Sequence, residues 1–224
     1  VDGFSKKLYY NYKVYPGTRV GLLMYNTIGF CVSFYAINKL NAISVPLSTK
    51  YRESEILPLI EKASVSGLIY DIHFTHWFAD DTDIQPGFLL SYSDTAFTSQ
   101  LTDNKSLPDI PDITSQPSDT AIIMFTSGTT SYSKGVMMTN YNTMHAINVY
   151  KKIFCITPDD ITLIPVPIYH VTGLIGLLGL FLSAGGCVIL HKFFDARRIL
   201  RDVSQYEVTF IHAAPTVFSM LLEQ

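Results

Sequence analysis

Short apolar segments alternate with segments of helical length along most of this chain. Residues 19–24, 42–46 and 65–70 have the length and composition of strands, and residues 26–39 and 53–62 lie between them with a helical pattern. A parallel connection has to cross from one end of a sheet to the other, so strands separated by helices are typical of βαβ units. The alternation therefore predicts an α/β fold of layered, parallel-type sheets flanked by helices.

The same alternation continues after residue 119. Strands are predicted at 120–125, 135–138, 161–164, 187–190 and 208–211, and helices at 140–153, 171–184, 196–205 and 215–223. Asn26 is predicted to cap the helix at 26–39. The segment Val171–Leu190 has no charged residue, but Gly185 and Gly186 end its helix too early to cross a membrane. We predict a buried helix followed by a buried strand there, and no transmembrane span.

Residues 80–119 depart from the alternation. They contain eight Asp residues and one Lys, and four prolines interrupt them. Such a composition predicts a solvated connection, with one short strand near residues 88–91. We therefore predict one domain over residues 1–224, in which residues 19–155 and 156–224 form separate sub-sheets and residues 80–119 form an acidic, loop-rich connection.

Composition excludes several classes of protein. Among 224 residues, 48% are apolar and 16% are charged, with a net charge of −3. A disordered chain would be more polar, and a nucleic-acid-binding protein would carry a basic excess. The three cysteines, Cys31, Cys155 and Cys187, are far apart, so they predict buried, reduced thiols rather than a metal site or disulfides. These features, and an N-terminus without a signal-peptide pattern, predict a cytoplasmic protein.

A segment rich in Ser and Thr follows the apolar strand that ends at Phe125. It runs from Thr126 through Gly128 and on to Lys134 and Gly135. Hydroxyl groups, backbone N–H groups and one ammonium group can together surround the oxygens of a polyphosphate. The spacing is not that of a P-loop, in which the lysine follows the second glycine. A hydroxyl-rich hairpin turn without a ligand is the alternative interpretation.

This segment resembles the signature loop of the adenylate-forming enzymes, which include acyl-CoA synthetases, aryl-CoA ligases, luciferases and peptide-synthetase adenylation domains. The resemblance covers Thr126, Ser127, Gly128, Thr129, Thr130, Lys134, Gly135 and Val136. Ser131 and Ser133 depart from it, since the family has Gly and Pro there. Residues 15–20 and 40–47 resemble two further family blocks, and residues 165–170 resemble a block of the acyl- and aryl-CoA ligases.

The resemblance implies an AMP-forming acid–thiol ligase that uses ATP, Mg²⁺ and CoA. It implies that the β- and γ-phosphates are bound by Thr126, Ser127, Gly128, Thr129, Thr130 and Lys134, and that Lys134 also acts in catalysis. It further implies that Tyr169, His170 and Gly173 border the carboxylic acid, a fatty or an aryl acid, with His170 in a catalytic role. The alternatives are a packing role for His170 and a core-packing role for the apolar helix at 171–182.

The family's adenine-binding, ribose-binding and C-terminal lysine blocks are not found in these 224 residues. The resemblance therefore implies an incomplete N-terminal domain, inactive alone, whose partner is the remainder of its own enzyme. The sequence does not decide whether the protein forms a homo-oligomer. Two other functions also stay open: a non-catalytic nucleotide-binding relative or truncated pseudoenzyme, suggested by Ser131 and Ser133, and a membrane-associated structural protein, suggested by residues 171–190.

Overall fold

The structure is a computed structural model that describes residues 1–78, 86–93, 107–126 and 133–224. The chain divides into two compact units. Unit 1 comprises Val1–Met24 and Ile28–Asn140, and unit 2 comprises Tyr25–Thr27 and Tyr141–Gln224. Each unit has its own sheet.

Unit 1 is built on a six-stranded sheet. Its strands are β1 (Arg19–Leu23), β2 (Ile43–Pro46), β3 (Gly67–Asp71), β4 (Leu89–Tyr92), β5 (Thr120–Thr126) and β6 (Lys134–Thr139). Their order across the sheet is β4-β3-β1-β2-β5-β6. The pairs among β1 to β5 are parallel, whereas β6 runs antiparallel to β5. The predicted α/β class with a mostly parallel, helix-flanked sheet is confirmed.

Among the described residues of this unit, three α-helices are found, α1 (Asp2–Tyr12), α2 (Ile28–Lys39) and α3 (Glu53–Lys62), and a 3₁₀ helix spans Ile72–Phe78. The central strands are mostly buried because parallel strands are covered on both faces: Leu22, Val45 and Leu68 have no exposed surface. β6 differs, since it lies at the sheet edge, and Met137 is 62% exposed.

Unit 2 contains a two-stranded parallel sheet and a set of helices. The strands are β7 (Ile161–Ile164) and β8 (Cys187–Leu190), with Ile161 opposite Cys187. A helical run between them consists of α5 (Val171–Gly173), a π-helical stretch (Leu174–Gly179) and α6 (Leu180–Ala184). The other helices are α4 (Asn140–Ile153), α7 (Ala196–Gln205) and α8 (Pro215–Leu222).

The helical run is buried from Gly173 to Phe181, as predicted for the apolar segment at 171–184, whereas Val171 and Leu182 near its ends are exposed. Gly176 and Gly179 lie against α4, where a β-carbon at Gly176 would be 3.8 Å from Tyr150 and one at Gly179 would be 3.0 Å from Ile147. Gly185 ends the run with a φ of 83°, a left-handed conformation that glycine adopts without strain. In the described ranges, no helix has both the length and the apolar composition required to span a membrane.

Two sequence predictions about exposure are wrong. β8 is partly exposed rather than buried, because among the described residues it pairs with β7 alone and therefore keeps an open edge. Cys155 and Cys187 are exposed, and only Cys31 is partly buried. Burial raises the pKa of the Cys31 thiol to about 12, which keeps it protonated at neutral pH.

The segment 208–211 does not form the predicted strand. Phe210 makes one isolated bridge to Thr162. The amides of Thr209 and Phe210 both donate to the carbonyl of Ile161, at 2.9 and 3.2 Å. Because two consecutive amides use one acceptor, the alternating pattern of a regular ladder cannot continue.

The strands of the two sheets fall in the two ranges predicted for separate sub-sheets. All strands of the six-stranded sheet fall within residues 19–155, and β7 and β8 fall within residues 156–224. The two compact units divide at residues 140–141, so most of α4 belongs to unit 2. That the chain is one incomplete N-terminal domain stays a prediction.

Candidate functional site

The predicted phosphate loop begins at the carboxyl edge of the unit 1 sheet. β5 runs parallel to β2, so Thr126 ends its strand at the same edge as the other parallel strands. Thr126 and Lys134 are register partners at the end of the β5–β6 hairpin where the connecting segment leaves and returns, and both are exposed. The segment between them therefore starts and ends at adjacent positions, on the edge where α/β proteins bind ligands.

The remaining predicted loop residues, Ser127, Gly128, Thr129, Thr130 and Ser131, lie outside the described residues. Next to them, the ammonium group of Lys62 in α3 donates a 2.5 Å hydrogen bond to the carbonyl of Ser133. This bond attaches the chain just before Lys134 to α3. Lys134 itself makes no ion pair with any other described residue.

The Tyr169–His170 pair lies in unit 2, where β7 leads into the helical run. Tyr169 is 4% exposed, and its hydroxyl group makes no hydrogen bond within the described part of the chain. His170 is exposed, and the centroids of the two rings are 4.6 Å apart with a tilt of 54°. The carbonyl of His170 accepts a 2.9 Å hydrogen bond from the amide of Leu174 and so starts the helical run.

Asn26 is involved in this part of unit 2, which the sequence did not indicate. Its Nδ2 donates to the carbonyl of Val166 at 2.8 Å, and its Oδ1 accepts from the amide of Ile168 at 2.8 Å. The predicted capping role is wrong: α2 starts at Ile28, and the Asn26 side chain binds the segment before Tyr169 instead. These partners are about 140 residues away along the chain, so no local pattern could have revealed them.

Gly173 is brought against the same segment. A β-carbon at this position would lie 2.7 Å from the carbonyl oxygen of Pro167 and 2.9 Å from the Cα of Ile168. The glycine is buried and allows this close approach of two backbones. Packing alone therefore explains why a glycine occupies position 173. That Gly173 contacts a substrate stays a prediction.

A buried ionisable pair lies elsewhere in unit 2. The Nε2 of His191 is 3.0 Å from Oδ2 of Asp202, although neither ring nitrogen has good hydrogen-bond geometry to a described residue. His191 is 3% exposed, and burial lowers the pKa of its imidazole despite the attraction of Asp202. The arrangement favours the neutral ring.

No group of three or more His, Cys, Asp or Glu side chains suited to a metal ion occurs among the described residues. These residues therefore do not fit a protein-bound Mg²⁺ cage, and we assign none of them to the ion. Mg²⁺ bound to the phosphates of a nucleotide needs few protein ligands.

Taken together, the fold and the sequence define an α/β protein in which the predicted phosphate loop begins at the carboxyl edge of a mostly parallel sheet. The model of the family described as "AMP-binding enzyme" matches residues 1–224. The chain therefore belongs to the AMP-binding enzyme family, and the family resemblance found in the sequence is confirmed.

Curated relatives of the chain are acid–CoA ligases. It is 27% identical over 239 residues to the oxalate–CoA ligase of Arabidopsis thaliana, a match that covers 100% of this chain and 45% of that protein. It is 29% identical over 210 residues to a feruloyl-CoA synthase from Amycolatopsis sp, covering 93% of this chain and 40% of that protein. The chain thus spans less than half the length of these relatives.

Solved structures share the fold. The inhibitor-bound N-terminal domain of FACL13 from Mycobacterium tuberculosis matches with a TM-score of 0.89 and 24% identity, over 100% of this chain and 56% of that one. The O-succinylbenzoate coenzyme A synthetase of Bacillus subtilis, in complex with AMP, matches with a TM-score of 0.82 and 25% identity, over 99% of this chain and 55% of that one.

Proposed function

We propose that the protein containing this chain is an AMP-forming acid–thiol ligase. In the first half-reaction, a carboxylate oxygen attacks the α-phosphorus of ATP, and pyrophosphate leaves with the electrons of the broken P–O bond. In the second, the sulfur of CoA attacks the acyl carbon, the bond to AMP breaks and the thiol proton is released. Family membership and the ligase relatives support this chemistry.

The observation that carries the proposal is the register of the β5–β6 hairpin. It sets the hydroxyl group of Thr126 and the ammonium group of Lys134 at the two ends of one loop. We propose that these groups, with Ser127, Gly128, Thr129 and Thr130, bind the β- and γ-phosphates. Negative charge moves toward the leaving pyrophosphate in the transition state, so a nearby ammonium group lowers the barrier.

We propose that Tyr169 and His170 border the carboxylic acid, with His170 in the catalytic role and Gly173 beside the acid. Tyr169 supports this assignment because its buried hydroxyl is without a partner among the described residues, and a substrate oxygen would satisfy it. We propose a fatty or an aryl acid as the substrate. Of the relatives, which are named for oxalate, crotonobetaine or carnitine, and feruloyl-CoA, the last supports an aryl acid. Mg²⁺ accompanies ATP.

We also propose a cytoplasmic location and a role in the metabolism of fatty or related acids. The exposed thiols of Cys155 and Cys187 support a reducing compartment, because paired or blocked thiols are typical of oxidising ones. The partners in this proposal are small molecules and the remainder of the same enzyme.

The experiment that tests the proposal is acid-dependent ATP–pyrophosphate exchange with the full-length protein carrying residues 1–224. Lys134→Ala removes one charged phosphate contact and should lower the exchange rate by about 10- to 100-fold. The matched control is Lys152→Ala, which removes an exposed lysine at the end of α4 and should leave the rate unchanged.

Equal rates in the two variants would remove Lys134 from the mechanism. If the wild-type protein binds ATP but shows no exchange with any acid, the non-catalytic nucleotide-binding relative becomes the better interpretation, and Ser131 and Ser133 become the first positions to restore to Gly and Pro.

A further inference from the structure

Asn26 is attached to the segment that leads into Tyr169. The residue is 8% exposed, and its Nδ2 donates to the carbonyl of Val166 at 2.8 Å and, at 3.5 Å, to that of Ile164. Its Oδ1 accepts from the amide of Ile168 at 2.8 Å. Every one of these partners lies between the end of β7 and Tyr169.

The sequence of that segment explains why one amide side chain is so well suited to it. Pro165 and Pro167 have no N–H group, which leaves the backbone between β7 and the helical run with few donors of its own. Ile168 is fully buried, so its amide requires a partner inside the protein. An asparagine side chain has a carbonyl oxygen and an NH₂ group on the same carbon. Its oxygen can accept from the Ile168 amide while its nitrogen donates to the Val166 carbonyl.

The residue before Asn26 is also held within unit 2. The ring of Tyr25 lies 5.0 Å from that of Phe193, and the ammonium group of Lys192 is 5.3 Å from the Tyr25 centroid. Contacts on the flanking residue restrict the backbone from which the Asn26 side chain projects. The amide is thus presented to the 164–168 segment from a fixed position.

We propose that Asn26 is a positioning residue for the Tyr169–His170 pair. It fixes the backbone path through Ile168, and that path sets the place and orientation of the two rings that follow directly. The proposal rests on the proposed function in one respect: the effect on catalysis requires that the two rings border the acid. A displacement of about 1 Å at reacting groups can lower a rate by about 100-fold.

Two variants of the full-length protein separate this role from general stability. Asn26→Leu has a side chain of similar size and can neither donate nor accept a hydrogen bond. Asn26→Asp keeps the oxygen that accepts from Ile168 but loses the NH₂ group that donates to Val166. The control is Asn38→Leu, since Asn38 also donates through Nδ2 to a backbone carbonyl, that of Phe34 at 2.9 Å, but lies in α2 of unit 1.

Two measurements are made on each folded variant. The first is the NMR chemical shift of the Tyr169 and His170 ring protons, assigned with Tyr169→Phe and His170→Gln, which requires no activity. The second is kcat and KM for acid-dependent pyrophosphate exchange. We expect both Asn26 variants to shift the ring resonances and to lower kcat by about 100-fold with little change in the KM for ATP. Asn38→Leu should change only the unfolding temperature.

The proposal is overturned if the Asn26 variants keep wild-type ring resonances, or if their kcat matches that of Asn38→Leu. Should Asn26→Leu fail to fold, Asn26→Asp decides the question by the same two readouts. If the wild-type protein has no acid-dependent activity, the proposed function fails by itself, and the ring resonances still test whether Asn26 positions Tyr169 and His170.

Discussion

At the residue scale, Gly173 determines how closely the helical run approaches the segment before Tyr169. An added β-carbon would lie 2.7 Å from the carbonyl oxygen of Pro167, a backbone atom that cannot move away cheaply. We expect Gly173→Ala to destabilise the protein by about 1–3 kcal/mol, the usual cost of overpacking a tight site. Thermal unfolding of the full-length protein would measure the loss.

Gly176→Ala is the matched control for that prediction. A β-carbon there would make only ordinary contacts, at 3.8 Å to Tyr150 and 3.9 Å to His212. Because alanine favours helix over glycine by about 0.5–1 kcal/mol, this variant should be as stable as the wild type or more so. Equal destabilisation by both substitutions would mean that the close approach at Gly173 is not the cause.

His191 gives unit 2 a pH-dependent stability. Burial lowers the pKa of its imidazole below the ordinary value of 6.5, while Asp202 partly opposes this effect and Arg198 adds to it. The unfolded state therefore binds a proton more readily than the folded state, so stability is complete above the ordinary pKa and falls as the pH drops below it. Asp195 and Arg201 also face this group of charges.

The measurement is the unfolding temperature between about pH 8 and pH 5 for the wild type and His191→Gln. The variant has no imidazole to titrate, so its stability should fall less steeply over the acidic part of the range. Parallel curves for the two proteins would show that His191 contributes nothing to the pH dependence.

At the element scale, one hydroxyl group adds to the backbone hydrogen bonds that attach residues 208–211 to Ile161. Thr209 Oγ1 donates to Oδ1 of Asp160 at 2.8 Å and accepts from the amide of Ile161 at 3.0 Å. Asp160 is itself held by the amide of Thr157 at 2.8 Å, and this bond is the main reason that the Asp160 pKa is lowered. Because the segment forms no regular ladder, side-chain hydrogen bonds such as this one contribute a larger share of its attachment.

We expect Thr209→Val, which removes this hydroxyl at nearly constant shape, to speed amide hydrogen exchange at residues 208–211. Thr18→Val makes the same chemical change in unit 1, where Thr18 Oγ1 accepts from the amide of Tyr15, and should leave that exchange unaffected. Mass spectrometry of the peptides covering residues 208–211 would decide. Unchanged exchange in Thr209→Val would contradict the role given to the hydroxyl.

Elements with a clear local signal were predictable from the sequence. Apolar runs such as those of β1 and β7 and the helices after Asp195 and Ala214 are found where the periodicity and end signals predict them. α1 and the 3₁₀ helix at Ile72–Phe78 were not predicted. The exposure of β8 and the irregular path at 208–211 depend on neighbours across the sheet, which a local pattern does not contain.

In the candidate site, too, residues with a local sequence signal could be predicted, whereas those that depend on tertiary contacts could not. The segment 126–134 could be proposed as a site because hydroxyl, glycine and lysine residues are adjacent in sequence, and Tyr169 and His170 because they follow a strand. Asn26 could not be found in this way, since its hydrogen-bonding partners are about 140 residues away. Residues that hold a site in place act through tertiary contacts and have no pattern of their own.

At the scale of the whole molecule, family membership, the loop at the carboxyl edge of the unit 1 sheet and the Tyr169–His170 pair support one reaction. Its defining feature is a direct bond between a carboxylate oxygen and the α-phosphorus of ATP. Other acid-activating enzymes transfer the γ-phosphate instead and release ADP. The fate of the carboxylate oxygens therefore separates the proposed chemistry from its main rival.

The most direct test is to supply the full-length protein with ATP, CoA and acids labelled with oxygen-18 in the carboxyl group, and to analyse the nucleotide product by mass spectrometry. The proposal predicts AMP that carries one labelled oxygen on its phosphate, formed together with pyrophosphate and the acyl-CoA thioester. Unlabelled AMP, or ADP with the label in inorganic phosphate, would contradict an acyl-adenylate intermediate and with it the proposed function.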